Sequence, residues 1–352
     1  MEWFSHFAGL SRGEVRSRAE QYSDPIREYD PDMLEEITGV AEGAGCDVRD
    51  VLAINCRSEL LFGSGSAAEC TSFGLQPEMT GNGHTYVGQN WDWGTDVRDT
   101  LILLVIKQEP RPTVVLLDEA GLIGRMGMNS AGMALSTNTL IAEGSRIGVP
   151  YNALLRGVLN ANSMAEAIGA LVRPQRALGA NFLLGDGRGQ VLDIEATAEN
   201  VDYLAPDQGI VTHANHFAGA RHRGRDMGLE RFPDSLYREC RLRDALTPHA
   251  PDLREERMKE ALRDAHGHPN AICRSVDPST RRSTGMRNVF ETSVKRTATS
   301  PGSGTGVTGV ARSSADATGA VVTDPKYQWV WLVPGFAAFL AAVDPARSTG
   351  AR

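Results

Sequence analysis

This sequence lacks the features of a membrane-spanning or nucleic-acid-binding protein. No apolar run is long enough to cross a bilayer, and the N-terminus has neither the basic start nor the long apolar stretch of a signal peptide. Acidic and basic residues are interspersed and give a formal net charge of -8, so no basic face is offered to phosphate backbones or anionic lipids. We therefore expect a cytoplasmic protein with no nucleic-acid or membrane partner.

Paired cysteines are missing as well. The chain has five cysteines, which is an odd number, and no two of them form a C-x-x-C pair. They are Cys46, Cys56, Cys70, Cys240 and Cys273. This pattern argues against a disulfide framework and against a cysteine zinc site. Each cysteine is expected to pack as a small hydrophobic residue unless its surroundings indicate another role.

The first part of the chain carries helical signals. The 352 residues, 41% of them hydrophobic, are enough for a sizeable buried core. Asp30 is a candidate N-cap for a helix that ends near Gly45, and Asp47 is a candidate N-cap for the next helix. Small, flexible residues at 63–68 then break the pattern and lead to Cys70. Two helices and a loose loop are therefore predicted before Cys70.

After this point the periodicity changes to that of β-strands. The strands are predicted at 71–75, 85–90, 101–107, 113–118, 133–138, 182–184, 191–195, 201–204 and 210–213, and the helices at 151–160, 165–171, 235–246 and 253–265. This order predicts stacked antiparallel sheets that helices cover on both faces. The glycine-rich segment 185–189 lies between two of the strands, so we expect a hairpin turn there and not a phosphate-binding loop.

The C-terminal part departs from this pattern. Residues 278–318 are rich in Ser, Thr, Gly and Arg and contain almost no large apolar side chains. This composition predicts a long surface loop or a disordered insertion, in which we place no chemistry. The apolar segments 320–322 and 329–333 then predict a closing hairpin.

Cys70 is the most informative position, because it lies where a flexible loop meets a strand. A backbone that bends there would let the sulfur attack the preceding carbonyl and break the Glu69–Cys70 bond. Cys70 would then gain a free α-amino group with an intrinsic pKa of about 7.7 to 8.0, and one residue would supply both nucleophile and base. By position alone, a strand cysteine is more often part of a core.

Three other positions carry candidate chemistry. Asp92 lies between two tryptophans at a strand end and could orient a nearby ammonium or thiol, although a turn carboxylate is the simpler interpretation. His213 and His216, three residues apart, suggest a metal site, but no further ligand cluster lies nearby in the sequence. Between them, Asn215 could donate an N–H to an oxyanion.

Four motifs in order resemble one known family. They are residues 70–73 (CTSF), 88–93 (GQNWDW), 119–132 (EAGLIGRMGMNSAG) and 213–216 (HANH). Together they look like the peptidase C45 group, the acyl-coenzyme A:6-aminopenicillanic acid acyltransferase-like family of the N-terminal nucleophile hydrolase superfamily. The leader segments 42–47 and 55–60 are also similar to this family. The resemblance covers most of the chain except the Ser/Thr-rich stretch.

This resemblance implies an α+β fold, an αββα four-layer sandwich of two stacked antiparallel sheets. It also implies a precursor in which residues 1–69 form a helical small subunit and residues 70–352 form the catalytic core. Cys70 matches the nucleophile that self-cleavage exposes, Asp92 the aspartate that positions it, and Asn215 the oxyanion-hole asparagine. Glu69 precedes the cut, where the fungal acyltransferase has Gly.

The resemblance further suggests four substrate-pocket residues. Gln89 stands where related bile salt hydrolases and penicillin V acylases carry an arginine, which places the chain with the acyltransferase branch and argues against a bile-acid substrate. Asn138 falls near a second pocket asparagine. Arg238 and Arg241 both fall near the family's active-site arginine, and the sequence does not choose between them.

The expected reaction is attack by Cys70 on an amide or thioester bond of a small N-acyl amine, followed by transfer of the acyl group to water or to an amine. No cofactor or metal is expected, with acyl-coenzyme A as a candidate substrate, the cleaved small subunit as a bound partner and a homo-oligomer as a further option. Two alternatives stay open: an uncut binding protein of the same fold, and a metal-dependent hydrolase that uses His213 and His216.

Overall fold

The N-terminal part of the computed structural model is helical. The structure describes residues 2–61, 69–94, 100–222, 224–274, 282–294, 307–313 and 328–331. The first helices are α1 (Glu2–Ala8), α2 (Arg12–Glu20), α3 (Ser23–Tyr29), α4 (Pro31–Ala44), α5 (Val48–Asn55) and α6 (Arg57–Leu60). The two predicted caps are confirmed, since the Asp30 carboxylate accepts the N–H of Asp32 and that of Asp47 accepts the N–H of Arg49. Gly45 ends α4 in the left-handed conformation, with φ 62.

The strands of the described residues form two antiparallel sheets. Their bounds are β1 (Glu69–Leu75), β2 (Thr85–Gly94), β3 (Leu101–Lys107), β4 (Val114–Glu119), β5 (Met126–Asn129), β6 (Met133–Asn138), β7 (Ala180–Asp186), β8 (Val191–Ala196), β9 (Val201–Leu204), β10 (Ile210–His213), β11 (Arg282–Val294), β12 (Val307–Ser313) and β13 (Gln328–Trp331). One sheet has the order β10-β1-β2-β11-β12, and the other has the order β13-β3-β4-β5-β6-β7-β8-β9. The remaining helices are α7 (Tyr151–Leu159), α8 (Met164–Val172), α9 (Met227–Arg231), α10 (Ser235–Leu246) and α11 (Glu255–Leu262).

Three apolar clusters show how the layers stack. Side chains of β2, β3 and β4, among them Trp91, Val105 and Leu117, fill the space between the two sheets. Leu116, which points to the other face of β4, packs instead with the helices α1 to α8. A third cluster joins β1 and β10 to α10 and α11, with Phe73 at its centre. The predicted αββα four-layer sandwich is therefore confirmed.

Most predicted elements are present, but two helices were predicted before Cys70 and the described part of the chain has six, and α9 was not predicted. The loop predicted at 63–68 lies outside the described residues. The turn predicted at 185–189 does join β7 to β8. Sequence reasoning missed α2, because only Val15 and Ala19 of its residues are buried and the helical periodicity is weak. Its Ser11–Glu14 capping box was the available signal. The four-residue strand β5 was also missed, because its length and its glycine suit a loop equally well.

The prediction of a loop or disordered insertion at 278–318 is wrong for two segments. Residues 282–294 form β11 and residues 307–313 form β12. In the smaller sheet, β11 lies between β2 and β12. Small polar residues can pair through the backbone, which composition does not reveal. Thr292 is buried, and its hydroxyl donates to the Gly132 carbonyl at 2.8 Å. In the predicted closing hairpin, residues 320–322 lie outside the described residues, while β13 pairs with β3.

The N-terminal helices share their core with the rest of the chain. Apolar residues such as Val15, Ile37 and Leu52 belong to the same cluster as Leu116 of β4. Residues before the candidate cut are thus part of the outer helical layer. Among the described residues, no helix combines the length and the apolar character needed to cross a bilayer.

Candidate active site

Cys70 lies on β1 with its side chain between the two sheets, where it is 2% exposed. Its backbone is held from two sides. The N–H donates to Asn215 Oδ1 at 2.9 Å, and the carbonyl accepts from Arg238 Nη1 at 2.7 Å. The sheet register sets Cys70 opposite Trp91 and Glu69 opposite Asp92. The sequence motifs at 70–73, 88–93 and 213–216 therefore meet at one point.

The thiol of Cys70 is neutral at ordinary pH in this uncut chain. Burial is the main cause, and the negative charge of Asp92 adds to it, so that the pKa of the thiol is raised to about 12. Arg125 and Arg238 oppose this shift, as does a hydrogen bond from the backbone of Asp92. The thiol therefore needs a base before it can act as a nucleophile.

Arg238 makes more contacts around Cys70 than any other predicted residue. It extends from α10, is fully buried, and donates to the Cys70 carbonyl, to Thr71 Oγ1 at 2.7 Å and to Asn215 Oδ1 at 3.0 Å. Its Nε donates to Asp234 Oδ2 at 2.7 Å. These contacts fix the backbone on the C-terminal side of the candidate cleavage bond.

The placement of Arg241 in a substrate pocket is not supported. One helical turn further along α10, its side chain points outward, is 38% exposed and forms a two-point ion pair with Asp264. Three residues turn a helix by about 300°, so Arg241 is offset by about 60° from Arg238 and lies at the edge of the buried stripe. The structure thus distinguishes the two arginines that sequence reasoning left open.

Arg274 is a site residue that sequence reasoning missed. Its guanidinium pairs with Glu69, bonds Asp234 at 2.6 Å and lies 3.3 Å from an oxygen of Asp92. The sequence around it has no recognisable motif, so only the fold reveals its role. Because it links Glu69 to Asp92, it ties β1, which contains the candidate cleavage bond, to the neighbouring strand β2.

The other predicted pocket residues are close by but differently engaged. Asn215 is buried, and its Nδ2 donates to the Thr139 carbonyl at 3.0 Å, which uses one of its two N–H groups. Asn138 donates to the Ala214 carbonyl at 2.8 Å. Gln89 forms two hydrogen bonds with the backbone of Thr137 and so joins the two sheets. Asn138 and Gln89 are buried supports near the site.

The two histidines form hydrogen-bonded pairs and do not converge on a common point. His213 is buried, with Nε2 2.8 Å from Glu195 Oε1 and Nδ1 2.9 Å from the Ala214 carbonyl. Burial opposes its charged form, but nearby carboxylates outweigh burial and raise its pKa to about 9. His216 contacts Ser235 Oγ and Glu239. Among the described residues, no cluster of three or more metal-ligating side chains exists.

A cavity of about 70 Å³ opens beside Cys70. Its charged lining consists of three arginines, Arg57, Arg125 and Arg231. The wall also contains two stacked tryptophans, Trp91 and Trp93, whose ring centroids are 6.1 Å apart. This volume admits several water-sized groups next to the sulfur. None of the described lining residues is acidic.

Comparisons with known proteins agree with the motifs. Residues 79–301 match the family model described as Acyl-coenzyme A:6-aminopenicillanic acid acyl-transferase. The 40 kDa form of acyl-coenzyme A:6-aminopenicillanic-acid-acyltransferase from Emericella nidulans is 30% identical over 301 residues, which are 83% of this chain and 82% of that protein.

Two solved structures show more distant likeness. A variant of conjugated bile acid hydrolase from Clostridium perfringens is 15% identical, with a TM-score of 0.40 over 63% of this chain and 88% of that one. Penicillin V acylase from Agrobacterium tumefaciens is 14% identical, with a TM-score of 0.38 over 63% and 82%. By the family model and the Emericella relative, the chain belongs to the acyl-coenzyme A:6-aminopenicillanic acid acyl-transferase family.

Proposed function

We propose that this chain cuts itself between Glu69 and Cys70 and then uses Cys70 to transfer acyl groups from small N-acyl amines or acyl thioesters to water or to an amine. The observation that carries the proposal is the position of Cys70. Its thiol lines the cavity, while its N–H and carbonyl are each held by a buried side chain. Membership of an acyltransferase family supports the same reaction class.

Self-cleavage begins with attack of Cys70 Sγ on the carbonyl carbon of Glu69. The thiol proton passes to the nitrogen of Cys70 as the amide bond breaks, which leaves a thioester and a free α-amine. Water then hydrolyses the thioester, so that Glu69 becomes a C-terminal carboxylic acid and the thiol is restored. Asn215 Oδ1 and Arg238 support this step, because they hold Cys70 on both sides of its Cα.

In the mature enzyme, the new α-amine takes the proton of the Cys70 thiol as the sulfur attacks the substrate carbonyl. An intrinsic pKa of about 7.7 to 8.0 suits this amine to the task near neutral pH. The second N–H of Asn215 Nδ2 is our candidate donor to the oxyanion. The amine or thiol leaves with the proton, and water or another amine releases the acyl group. Acyl-coenzyme A fits as an acyl donor.

The small subunit stays bound after cleavage in this proposal. Support comes from the cluster that joins the N-terminal helices to the outer face of the larger sheet, including Ile37, Leu52 and Leu116. Burial of apolar surface at about 25 cal/mol per Å² would hold so extensive an interface without a covalent link.

Intact mass under denaturing conditions tests the proposal, with Cys70→Ala as the control. We expect the wild type to give two fragments that meet at Glu69 and Cys70, and the variant to give one full-length mass. The cleaved protein should then hydrolyse N-acyl amines. A single full-length mass for both proteins would contradict self-cleavage and favour the uncut binding protein.

A further inference from the structure

Among the described residues, Arg125 has no carboxylate within hydrogen-bond distance, unlike Arg57, Arg238 and Arg274, which are also buried at the site. Only 4% of the surface of Arg125 is exposed, and its Nε has no hydrogen-bond partner among the described residues. The nearest carboxylate oxygen of the described residues, Glu119 Oε1, forms only a long ion pair with Nη2, at 3.9 Å. A buried cation without hydrogen bonds is costly, so its retention on a cavity wall calls for an explanation.

Arg57 offers a direct comparison within the same cavity. Its guanidinium carbon lies over the Trp93 ring, 5.1 Å from the ring centroid, and that of Arg125 lies 4.6 Å from the ring centroid of Trp91. Arg57, however, binds both oxygens of Glu119, one of them at 2.7 Å. Arg57 thus neutralises the charge of Glu119, and the N–H groups of Arg125 can still donate hydrogen bonds to a ligand.

The other nearby acid does not fill this gap. Asp118 is fully buried, and burial raises its pKa to about 7 despite the opposing effect of Arg125 and Arg57. Its Oδ1 accepts the N–H of Glu119. The described lining of the cavity contains no carboxylate, so the only charged side chains that it places beside Cys70 are those of arginines.

We propose that Arg125 is a specificity residue that binds a carboxylate group of the substrate. The inference rests on the proposed function and narrows its substrate class to N-acyl amines that carry a carboxylate. The guanidinium carbon of Arg125 lies over the Trp91 ring. A planar guanidinium can form two parallel hydrogen bonds with a carboxylate. Trp91 is the strand partner of Cys70, so a carboxylate held there lies close to the reacting sulfur.

The carboxylate can belong to the acyl group or to the amine, and two matched substrate pairs separate these cases. N-phenylacetylglycine and its primary amide place the difference on the amine side. Glutaryl-p-nitroanilide and the corresponding terminal amide place it on the acyl side. We expect the wild type to prefer the carboxylate member of at least one pair. The pair that shows the preference identifies the side.

Arg125→Gln should lower kcat/KM for the preferred carboxylate substrate by about 10- to 100-fold, because a hydrogen-bonded charge is lost. The neutral member should change by less than about threefold. Arg125→Lys keeps the charge without the fork and should recover part of the loss, chiefly in KM. Arg221→Gln is the matched control, because Arg221 also stacks on an aromatic ring, that of Tyr203, but is 67% exposed and outside the cavity lining.

A binding measurement separates failure of this inference from failure of the proposed function. Calorimetry with 4-phenylbutyrate and the uncharged 4-phenylbutan-1-ol needs no turnover. Tighter binding of the carboxylate, lost in Arg125→Gln, supports the inference even if no substrate is cleaved, an outcome that would contradict the proposed reaction alone. Turnover without any carboxylate preference, or an equal loss for both members of a pair in Arg125→Gln, would overturn the role of Arg125.

Discussion

Arg238 and Arg241 provide a matched test of how the site is built. Arg238→Met removes a buried guanidinium that donates to the Cys70 carbonyl, Thr71, Asn215 and Asp234. Breaking a buried ion pair costs about 3 to 5 kcal/mol, because the remaining charge stays buried. Two partners retain other contacts, since Asp234 still binds Arg274 and Asn215 still accepts from Cys70. We therefore expect a cost of about 3 kcal/mol.

Arg241→Met removes the same side chain from the same helix, one turn away. Its partner Asp264 is also partly exposed, and surface ion pairs contribute about 0 to 1 kcal/mol. Unfolding by urea should be followed in a Cys70→Ala background, so that every protein is a single uncut chain. Equal losses for the two variants would refute the assignment of Arg238 to the site.

The same pair of substitutions in the otherwise wild-type chain reports on self-cleavage. Arg238→Met should slow the appearance of the Glu69 and Cys70 fragments, whereas Arg241→Met should leave their rate unchanged. Arg238→Lys adds a second comparison, because it keeps the charge but not the fork that reaches several acceptors. Cleavage of Arg238→Met at the wild-type rate would show that its contacts with Cys70 are only structural.

Two stability predictions concern other parts of the fold, and both apply to the uncut background. Burial raises the pKa of Glu59 to about 7, so its stabilising contribution is complete below a pH of about 4.3 and is lost as the pH rises through 7. The Gln of Glu59→Gln can still accept the N–H of Tyr151. This variant should therefore be more stable than its parent by about 3 kcal/mol at pH 8 and by less at pH 5. A stability difference that does not change with pH would contradict this prediction. Thr292→Val removes the hydrogen bond to Gly132 and should cost about 1 kcal/mol, against less than about 0.5 for Thr38→Val on an exposed helical face. Equal effects of the two threonine variants would argue against the placement of β11.

The sequence predicts elements well where side-chain periodicity reports burial. The strand β3 and the helix α10 were predicted with their correct bounds, because β3 is a nearly continuous apolar run and α10 buries leucines one turn apart, Leu242 and Leu246. The strand β11 was missed, because its few apolar residues do not alternate along the strand and its position depends on backbone pairing with β2. Local periodicity cannot report a contact made between distant segments.

The residues of the candidate site show the same difference between what local sequence reveals and what depends on the fold. Cys70, Asp92 and Asn215 were identified through motifs, and the fold brings them together. Arg125 stands inside one of those motifs but received no role, because nothing in the sequence shows that its neighbour Glu119 is already bound to Arg57. Which of the two arginines binds Glu119 depends on three-dimensional packing, and the sequence alone does not show it.

The charges around Cys70 link the two proposed stages. Three carboxylates, Glu69, Asp92 and Asp234, surround the two guanidinium groups of Arg238 and Arg274. Cleavage would create an ammonium on Cys70, one strand pair from Asp92. Cleavage would also create a carboxylate on Glu69, and the negative charge of Asp92 would favour the charged form of the new amine. Asp92 raises the thiol pKa in the uncut chain, and in the proposed mechanism it would stabilise the ammonium form of the amine after cleavage, so Asp92→Asn should slow turnover more than it slows self-cleavage.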